Sequence, residues 1–309
     1  MNLKKKKILI TGAEGFIARN LSNLLKKNGH IIYGIGSKKF DREISKKFSY
    51  QILVNKKINI RNLKKNFKNV DLIIHCAGSA LVGLDAKNDY KKNYLTTKSI
   101  LDFTISLKKK PKIIFMSSYS VYGDLYTRAI SEDSPTKPST TYAYTKKLSE
   151  DILINFSNLY NIDVVILRLA SVYGEGLTKQ LIFDACEKIA NNRPNFFGTG
   201  IEIRDWIHVS DVCNLVLKII NKDFNSNSII NCGSGKGYKI KYLINFIKKN
   251  IKTKDRIKFF KSKKTGPKIL ITKIEIAKKY KWTPKVNLKI GILNYVKWYL
   301  NLNKISKKL

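Results

Sequence analysis

One glycine-rich turn near residue 12 constrains the fold more than any other feature of the sequence. Residues 8–10 are apolar, Gly12 and Gly15 follow, and a helical pattern runs on from Ala18. In such a turn the first glycine permits the tight bend, the second lets the backbone approach a pyrophosphate, and a small third residue lets the helix pack closely. The free N–H groups that begin the helix then face the phosphates. The turn therefore predicts a dinucleotide-binding βα unit, with a plain strand–helix connection as the alternative.

Nearly continuous apolar runs alternate with longer helical patterns through the first two thirds of the chain. The runs predict strands buried on both faces, at residues 8–11, 31–35, 72–76, 113–117 and 164–169. The helical patterns between them include residues 18–28, 90–108 and 142–158. This alternation predicts an α/β fold with a Rossmann-type, doubly wound parallel sheet.

The pattern changes after about residue 175, where helices, short strands and glycine or asparagine turns mix. We interpret this part as a smaller C-terminal lobe that binds the substrate, since open α/β sheets bind ligands beyond the carboxyl ends of their strands. The expected division is a dinucleotide-binding domain at residues 1–174 and mainly a substrate lobe at residues 175–309. Some strands and helices of the second part are expected to return to the first domain.

The end of the second predicted strand bears on the choice between NAD and NADP. An NAD enzyme usually places an acidic residue there, where it accepts hydrogen bonds from the adenosine ribose. Gly36 takes that place here, and Ser37, Lys38 and Lys39 follow. A hydroxyl and two cations would suit a 2′-phosphate, so the sequence leaves both NAD and NADP open as the cofactor.

Tyr142 and Lys146 are four residues apart, in a segment with a helical pattern. On a helix this spacing places both side chains on one face. A tyrosine is a poor base near neutral pH, and a nearby ammonium stabilises the phenolate and so lowers the pKa of the hydroxyl. Upstream, the strand predicted at residues 113–117 ends in the paired Ser117 and Ser118. The pattern therefore predicts a tyrosine base with a supporting lysine.

Together these features resemble the extended branch of the short-chain dehydrogenase/reductase superfamily, and within it the NAD-dependent nucleotide-sugar epimerase/dehydratase family, which is typified by UDP-glucose 4-epimerase. The resemblance implies catalytic roles for Tyr142, Lys146 and Ser118. Ala18 is a mild departure, because the third small position is usually glycine in this branch. The residues that the resemblance places against the cofactor are Gly12, Gly15, Phe16, Ile17, Ser37, Lys38, Ala77, Gly78, Tyr142 and Lys146.

Later segments resemble the part of the family that binds the nucleotide-diphosphate sugar. The resemblance implies that Arg204 contacts the diphosphate, a task that suits a bidentate guanidinium. The alternative for Arg204 is an ion pair with Asp205 or Asp211. Ser171 stands where family members commonly have Asn, and Gln180 is a further expected substrate contact.

The two residues after Ser118 distinguish the reactions of this family. Dehydratases carry an added acid and base there and decarboxylases a glutamate, whereas this chain has Tyr119 and Ser120. The resemblance therefore implies epimerisation of a nucleotide-activated sugar through a transient 4-keto intermediate. An NADPH-dependent reductase of a 4-keto sugar nucleotide is the main alternative. An RNA-binding member of the superfamily is the third, and the intact catalytic set argues against it.

The chain carries 60 basic and 22 acidic residues, and its net charge of +38 raises the question of nucleic-acid or membrane-surface binding. The lysines are spread along the chain, which favours a general excess of lysine over a nucleic-acid site. No apolar run approaches the roughly 18 residues of a membrane span. The four cysteines lack paired spacing, so they predict neither a metal site nor disulfides and fit a reducing cytoplasm. The resemblance further implies a homodimer formed through residues 90–108 and 142–158.

Overall fold

The computed structural model describes residues 5–37, 45–53, 60–79, 85–224, 227–253, 256–260 and 267–306. The chain divides into two compact units. The first comprises Met1–Gly123, Thr136–Leu169 and Cys213–Ile230, and the second comprises Asp124–Pro135, Ala170–Val212 and Asn231–Leu309. The domain boundary expected near residue 174 stays a prediction. Within the described ranges, no helix combines the length and the apolar character that a membrane span requires.

The elements alternate as the sequence predicts. In chain order, the described strands are β1 (Lys7–Thr11), β2 (Ile31–Gly36), β3 (Tyr50–Leu53), β4 (Leu72–His75), β5 (Lys112–Ser118), β6 (Val164–Leu169), β7 (Ser171–Tyr173), β8 (Asn195–Phe197), β9 (Ile203–His208), β10 (Ser228–Cys232), β11 (Gly237–Lys239), β12 (Lys258–Phe260) and β13 (Ile269–Leu270). The described α-helices are α1 (Phe16–Lys27), α2 (Ile60–Asn66), α3 (Ala86–Asp89), α4 (Thr96–Ile105), α5 (Thr141–Tyr160), α6 (Gln180–Ala190), α7 (Val209–Lys222), α8 (Ile240–Ile251), α9 (Glu275–Lys278) and α10 (Leu288–Ser306). A π-helical turn, Tyr90–Leu95, precedes α4, and a 3₁₀ turn, Tyr119–Tyr122, follows β5.

Seven of the described strands form the main sheet, in the order β10-β6-β5-β4-β1-β2-β3. The pairs β1–β2, β1–β4, β2–β3, β4–β5 and β5–β6 are all parallel. The order reverses beside β1, whose Thr11 pairs with Ile35 in β2 and with His75 in β4. Open α/β sheets bind ligands at such a reversal. The predicted Rossmann-type, doubly wound parallel sheet is therefore confirmed, and the glycine turn begins at its switch point.

The core of the first unit follows from the apolar runs. Every residue of β4 and of β6 is buried, as expected for strands covered on both faces. Leu9 of β1 and Phe115 of β5 join Leu153 of α5 in one buried cluster. Helix α1 packs through residues that recur at helical spacing, namely Ala18, Leu21, Ser22 and Leu25.

The segment predicted as one α-helix over residues 90–108 begins instead with the π-helical turn Tyr90–Leu95. The wider turn buries Asn93, whose Oδ1 accepts a hydrogen bond from the backbone N–H of Ser79 at 2.9 Å. Asn93 Nδ2 donates to Thr145 Oγ1 of α5, also at 2.9 Å. Turns of this kind are rare and often occur at functional sites. Apolar periodicity misses this one because its burial depends on partners that are distant in sequence.

The second unit is organised around β9. This strand pairs in parallel with β7 and β13 and antiparallel with β11, and β8 pairs with β12. Asp205 of β9 is fully buried, and its carboxylate accepts hydrogen bonds from Ser234, Gly235 and Thr272. These donors compensate the cost of burying a carboxylate. Asp205 therefore joins the turn after β10 to the residues that follow β13.

Candidate active site

The glycine turn has the geometry that close approach of a ligand requires. Gly12 has φ +64°, and a Cβ there would lie 2.8 Å from Ala77 Cα. Gly15 is the N-cap residue of α1, no side chain caps this end of the helix, and its first turn contains no acidic residue. Phe16 and Ile17 form the first helical residues. Free backbone N–H groups at a helix start suit a phosphate, so the predicted pyrophosphate residues occupy a turn that fits that group.

Gly12→Ala should weaken both folding and dinucleotide binding. The added Cβ is strained at positive φ and also meets the Ala77 backbone, so we expect a loss of about 2–4 kcal/mol in the free energy of unfolding. Gly29→Ala is the matched control, because Gly29 has φ +83° but open space around its Cβ position. It should cost about 1 kcal/mol and leave NAD binding intact. If urea denaturation shows the same loss of unfolding free energy in Gly12→Ala and in Gly29→Ala, the close-approach role of Gly12 is contradicted.

The loop after β4 lies against both the glycine turn and Lys146. The hydroxyl of Thr11 contacts His75 Nδ1 at 2.6 Å and accepts from the backbone N–H of Ala77 at 3.2 Å. Burial, with the charge of Lys146 as a lesser cause, lowers the pKa of His75 to about 3, so this side chain is a neutral structural group. A Cβ on Gly78 would lie 2.8 Å from Asn93 Oδ1 and 3.1 Å from Lys146 Nζ. Glycine is therefore needed where the loop passes these two groups.

The structure brings the three predicted catalytic residues together in the first unit. Thr140 caps α5 by accepting from the backbone N–H of Ala143 at 3.1 Å, and the helix places Tyr142 and Lys146 one turn apart. Tyr142 is hydrogen-bonded to Ser118 at the end of β5. Lys146 is only 4% exposed, and its Nζ donates to Met116 O at 2.8 Å. The arrangement joins a hydroxyl, a phenol and a buried cation at the carboxyl end of β5.

Burial controls the charge states of this group. It raises the pKa of Tyr142, an effect that the hydrogen bond to Ser118 opposes and the charge of Asp89 reinforces. The net direction is upward, and the expectation that Lys146 favours the phenolate of Tyr142 stays a prediction. Burial also lowers the pKa of Lys146 to about 8, and the electrostatic effects of Cys76 and Glu150 oppose this shift. Both shifts favour the neutral forms.

Lys146→Met should stabilise the folded protein at pH 7 while it removes activity. Below about pH 8 the folded wild type holds a buried ammonium, and the shift from 10.5 to about 8 corresponds to roughly 3 kcal/mol as an upper value. Between pH 8 and 10.5 the folded wild type releases its proton while the unfolded chain keeps one, so the stability of the wild type rises with pH relative to the variant. The advantage of Lys146→Met should therefore shrink over this window.

Urea denaturation at pH 6.5, 8 and 9.5 measures that difference. Lys147→Met is a suitable control, because Lys147 pairs with Asp151 near the surface and its loss should cost less than about 1 kcal/mol. A Lys146→Met variant that is less stable than the wild type at pH 6.5 would contradict a destabilising buried cation.

Two polar residues that the sequence did not single out support α5. Asn93 links the π-helical turn to Thr145, and Asp89 Oδ2 accepts from Thr141 Oγ1 at 2.7 Å. Asp89 is fully buried, and its Oδ1 has no partner among the described residues. Both residues hold the start of the helix that carries Tyr142. In the sequence, Asp89 and Asn93 are marked only as polar residues within a helical pattern.

A buried ion pair lies next to the predicted catalytic residues. Arg168 Nη2 and Glu150 Oε2 are 2.8 Å apart, and both side chains are almost fully buried. Glu150 Oε1 also accepts from Ser117 Oγ at 2.5 Å, and the guanidinium of Arg168 lies 4.7 Å from the ring centre of Tyr122. These contacts join α5, β5 and β6 directly behind the strand end that bears Ser118.

The surroundings of Ser37, just after β2, differ from the 2′-phosphate site that the sequence suggested. Ser37 donates from both its backbone N–H and its hydroxyl to Glu14 Oε1, each at 3.0 Å. Lys38 and Lys39, the two cations considered for a 2′-phosphate, lie outside the described residues. The hydroxyl of Ser37 is thus engaged by a carboxylate from the glycine turn.

Three of the expected substrate residues lie in the second unit, whereas Ser118 lies in the first. Ser171 begins β7 and Gln180 begins α6 with φ +67°, a conformation that is uncommon for a residue with a side chain. Arg204 lies in β9, and its Nη1 donates to Ile203 O at 2.9 Å. Among the described residues Arg204 forms no ion pair with Asp205 or Asp211, so that alternative is not supported. Asp211 instead accepts from the backbone N–H groups of residues 285 and 286.

Comparisons with known proteins all indicate the same enzyme family. Residues 8–233 match the model of the NAD-dependent epimerase/dehydratase family. A putative UDP-glucose 4-epimerase of Methanocaldococcus jannaschii is 30% identical, with 96% of this chain and 99% of the relative covered. The UDP-glucuronate 4-epimerase of Thermodesulfobacterium geofontis is 25% identical, over 94% of this chain and 95% of the relative. The crystal structure of UDP-glucuronic acid 4-epimerase from Bacillus cereus, in complex with UDP-glucuronic acid and NAD, superposes with a TM-score of 0.87 at 25% identity, covering 96% of this chain and 99% of the other.

Proposed function

This chain belongs to the NAD-dependent epimerase/dehydratase family of extended short-chain dehydrogenases/reductases, and we propose that it is a 4-epimerase of a UDP-activated sugar. The family resemblance and the enzyme class predicted from sequence are confirmed, and NAD is the cofactor of the family. The observation that carries the proposed reaction is the juxtaposition of Tyr142, hydrogen-bonded to Ser118, with the buried Lys146.

The first unit has residues that fit NAD. The uncapped start of α1, with Gly12 and Gly15, would hold the pyrophosphate, and the loop at Ala77 and Gly78 would line the site beside Lys146. When bound, NAD supplies the hydride chemistry, accepting a hydride from the sugar carbon and returning it. The protein supplies position, charge and the path of the proton.

Tyr142 would remove the proton of the sugar 4-hydroxyl as the 4-keto intermediate forms, and would return it after the sugar has turned over. Ser118 would hold the reacting oxygen through its hydroxyl. Because burial raises the pKa of Tyr142, a cation must favour its phenolate, and Lys146 is the buried cation on the same helix face. Asn93 would keep α5 in place through Thr145.

The residues after Ser118 support epimerisation over elimination of water. Tyr119 and Ser120 form the 3₁₀ turn, and Ser120 donates to Ser118 Oγ at 2.8 Å. Neither side chain can act as a carboxylate acid or base. The reductase alternative depended on a 2′-phosphate site at Ser37 to Lys39, and the engagement of Ser37 by Glu14 weakens it. We therefore propose only the epimerase reaction.

In the second unit we propose that Arg204, Ser171 and Gln180 contact the substrate. The guanidinium of Arg204 lacks an ion-pair partner among the described residues and suits a diphosphate. The left-handed backbone of Gln180 is a local strain of the kind that often marks functional positions. The sugar itself is proposed only as a UDP-hexose or UDP-hexuronic acid.

We also propose a homodimer through α4 and α5. Large apolar side chains on this part of the first unit are exposed, including Tyr90, Leu95, Tyr144 and Leu159. Such a surface is typical of a protein–protein contact. Light scattering should give about twice the chain mass of 35.4 kDa, and a monomer at micromolar concentration would contradict this.

The test of the reaction is incubation of the purified protein with UDP-glucose or UDP-glucuronic acid, without added cofactor and then with NAD. Proton NMR should show the C4 epimer appearing with no net formation of NADH. Formation of NADH in proportion to sugar consumed, or no new epimer with any UDP-hexose, would overturn the proposed function.

A further inference from the structure

A carboxylate reaches the end of β2 although the strand itself supplies none there. Gly36 ends the strand, and Ser37 follows without an acidic side chain. The carboxylate comes from Glu14 of the glycine turn, whose Oε1 accepts from Ser37 N and from Ser37 Oγ, each at 3.0 Å. Glu14 thus places its negative charge where the adenosine ribose of a dinucleotide is recognised in folds of this type.

The backbone of the glycine turn is bonded to β2 next to Glu14. The backbone N–H of Ala13 donates to Ile35 O of β2 at 3.0 Å, so the turn is bonded to the neighbouring strand on the residue before Glu14. A Cβ on Gly34 would lie 3.1 Å from the Cβ of Ala13, which shows how closely the turn packs on β2. These contacts fix the backbone next to Glu14, and the two hydrogen bonds from Ser37 hold its carboxylate.

The second carboxylate oxygen of Glu14 lacks a partner. Oε2 is shielded from solvent and accepts no hydrogen bond from any described residue. An unpaired buried acceptor is costly, and such atoms in native proteins commonly await a ligand or ordered water. A ribose hydroxyl could donate to this carboxylate, whereas a 2′-phosphate is largely deprotonated near neutral pH and carries negative charge.

We propose that Glu14 is the residue that selects NAD over NADP in this enzyme, by accepting from the adenosine ribose hydroxyls and repelling a 2′-phosphate. The inference rests on the dinucleotide site of the proposed function. It assigns to the glycine turn the selection that an acidic residue at the end of β2 usually performs. It also accounts for NAD use despite Lys38 and Lys39, whose charges would otherwise attract a 2′-phosphate.

The test compares NAD⁺ and NADP⁺ on the full-length protein and on Glu14→Gln. Glutamine keeps an acceptor for Ser37 and removes only the charge. Dissociation constants come from quenching of intrinsic fluorescence on dialysed protein, and the dinucleotide that co-purifies is identified by mass spectrometry. The wild type should bind NAD⁺ about 100-fold more tightly than NADP⁺, and Glu14→Gln should narrow this ratio about 10-fold or more.

Glu202→Gln is the matched control. In the second unit Glu202 Oε1 accepts from Thr199 N at 3.0 Å and from Thr199 Oγ1 at 2.9 Å, the same arrangement as Glu14 with Ser37. The ratio of the NADP⁺ to the NAD⁺ dissociation constant in Glu202→Gln should equal that of the wild type. The ratio compares two ligands on one protein, so a partly unfolded fraction cancels. Glu14→Ala, which also removes the charge, should narrow the ratio as well and serves if Glu14→Gln does not fold.

An unchanged ratio in Glu14→Gln, or a wild type that binds NADP⁺ as tightly as NAD⁺, would overturn the assignment of Glu14. These outcomes are separable from failure of the proposed reaction. If the ratio narrows as expected but no UDP-sugar is epimerised, the selection role stands and the reaction does not. If epimerisation occurs but the ratio is unchanged, the proposed reaction stands and the assignment of Glu14 fails.

Discussion

Tyr142→Phe is expected to lower the turnover number about 1,000-fold while NAD binding is retained. The substitution removes one oxygen from a half-buried ring and leaves α5 and its Thr140 cap unchanged. In the proposed reaction the phenol takes the proton of the sugar hydroxyl, and Ser120, which donates to Ser118 Oγ, is too weak a base to replace it. Because the hydride cannot leave the sugar carbon without loss of that proton, the whole reaction should slow.

Tyr144→Phe is the matched control for this prediction. Tyr144 lies on the same helix two residues further on, and its side chain is 57% exposed. It should keep wild-type turnover. Initial rates of C4 epimerisation and fluorescence titration with NAD⁺ on both variants give the comparison. Turnover within about tenfold of wild type in Tyr142→Phe would rule out Tyr142 as the base.

Glu150→Ala is expected to lower the free energy of unfolding by about 3–5 kcal/mol. The substitution leaves the guanidinium of Arg168, which is 3% exposed, without its counter-charge, and it leaves Ser117 Oγ without its acceptor. An uncompensated buried charge costs far more than the pair contributes in the intact protein. The loss should also disturb the end of β5, and hence Ser118, so KM and turnover should both worsen in the folded fraction.

Two further variants separate the buried charge from simple loss of a side chain. The double variant Glu150→Leu with Arg168→Met removes both charges and should recover most of the lost stability, since apolar replacement of a buried pair is often nearly neutral. Asp102→Ala breaks the exposed pair with Lys98, 2.8 Å apart, and should cost less than about 0.5 kcal/mol. Equal losses in Glu150→Ala and the double variant, by urea denaturation, would show that charge is not the cause.

Local chemistry in the sequence determined the elements that need no distant partner. The glycine turn, the buried strands and the pair Tyr142 and Lys146 depend on spacing within a few residues, so their pattern is visible in the chain itself. A strand covered on both faces must be apolar throughout, and a helix places residues four apart on one side. These two rules were enough for the doubly wound sheet and for the helix that carries the proposed base.

The tertiary structure decided what depends on residues far apart in the chain. Only the fold brings Glu14 to Ser37 and Asn93 into contact with Thr145, because each pair is joined across elements. Burial, which no local pattern reports and which the charge of Asp89 reinforces, sets the upward direction of the pKa of Tyr142. The sequence determined which groups can do the chemistry, and the tertiary structure decided their partners and charge states, because solvent exclusion and long-range contacts exist only in the folded chain.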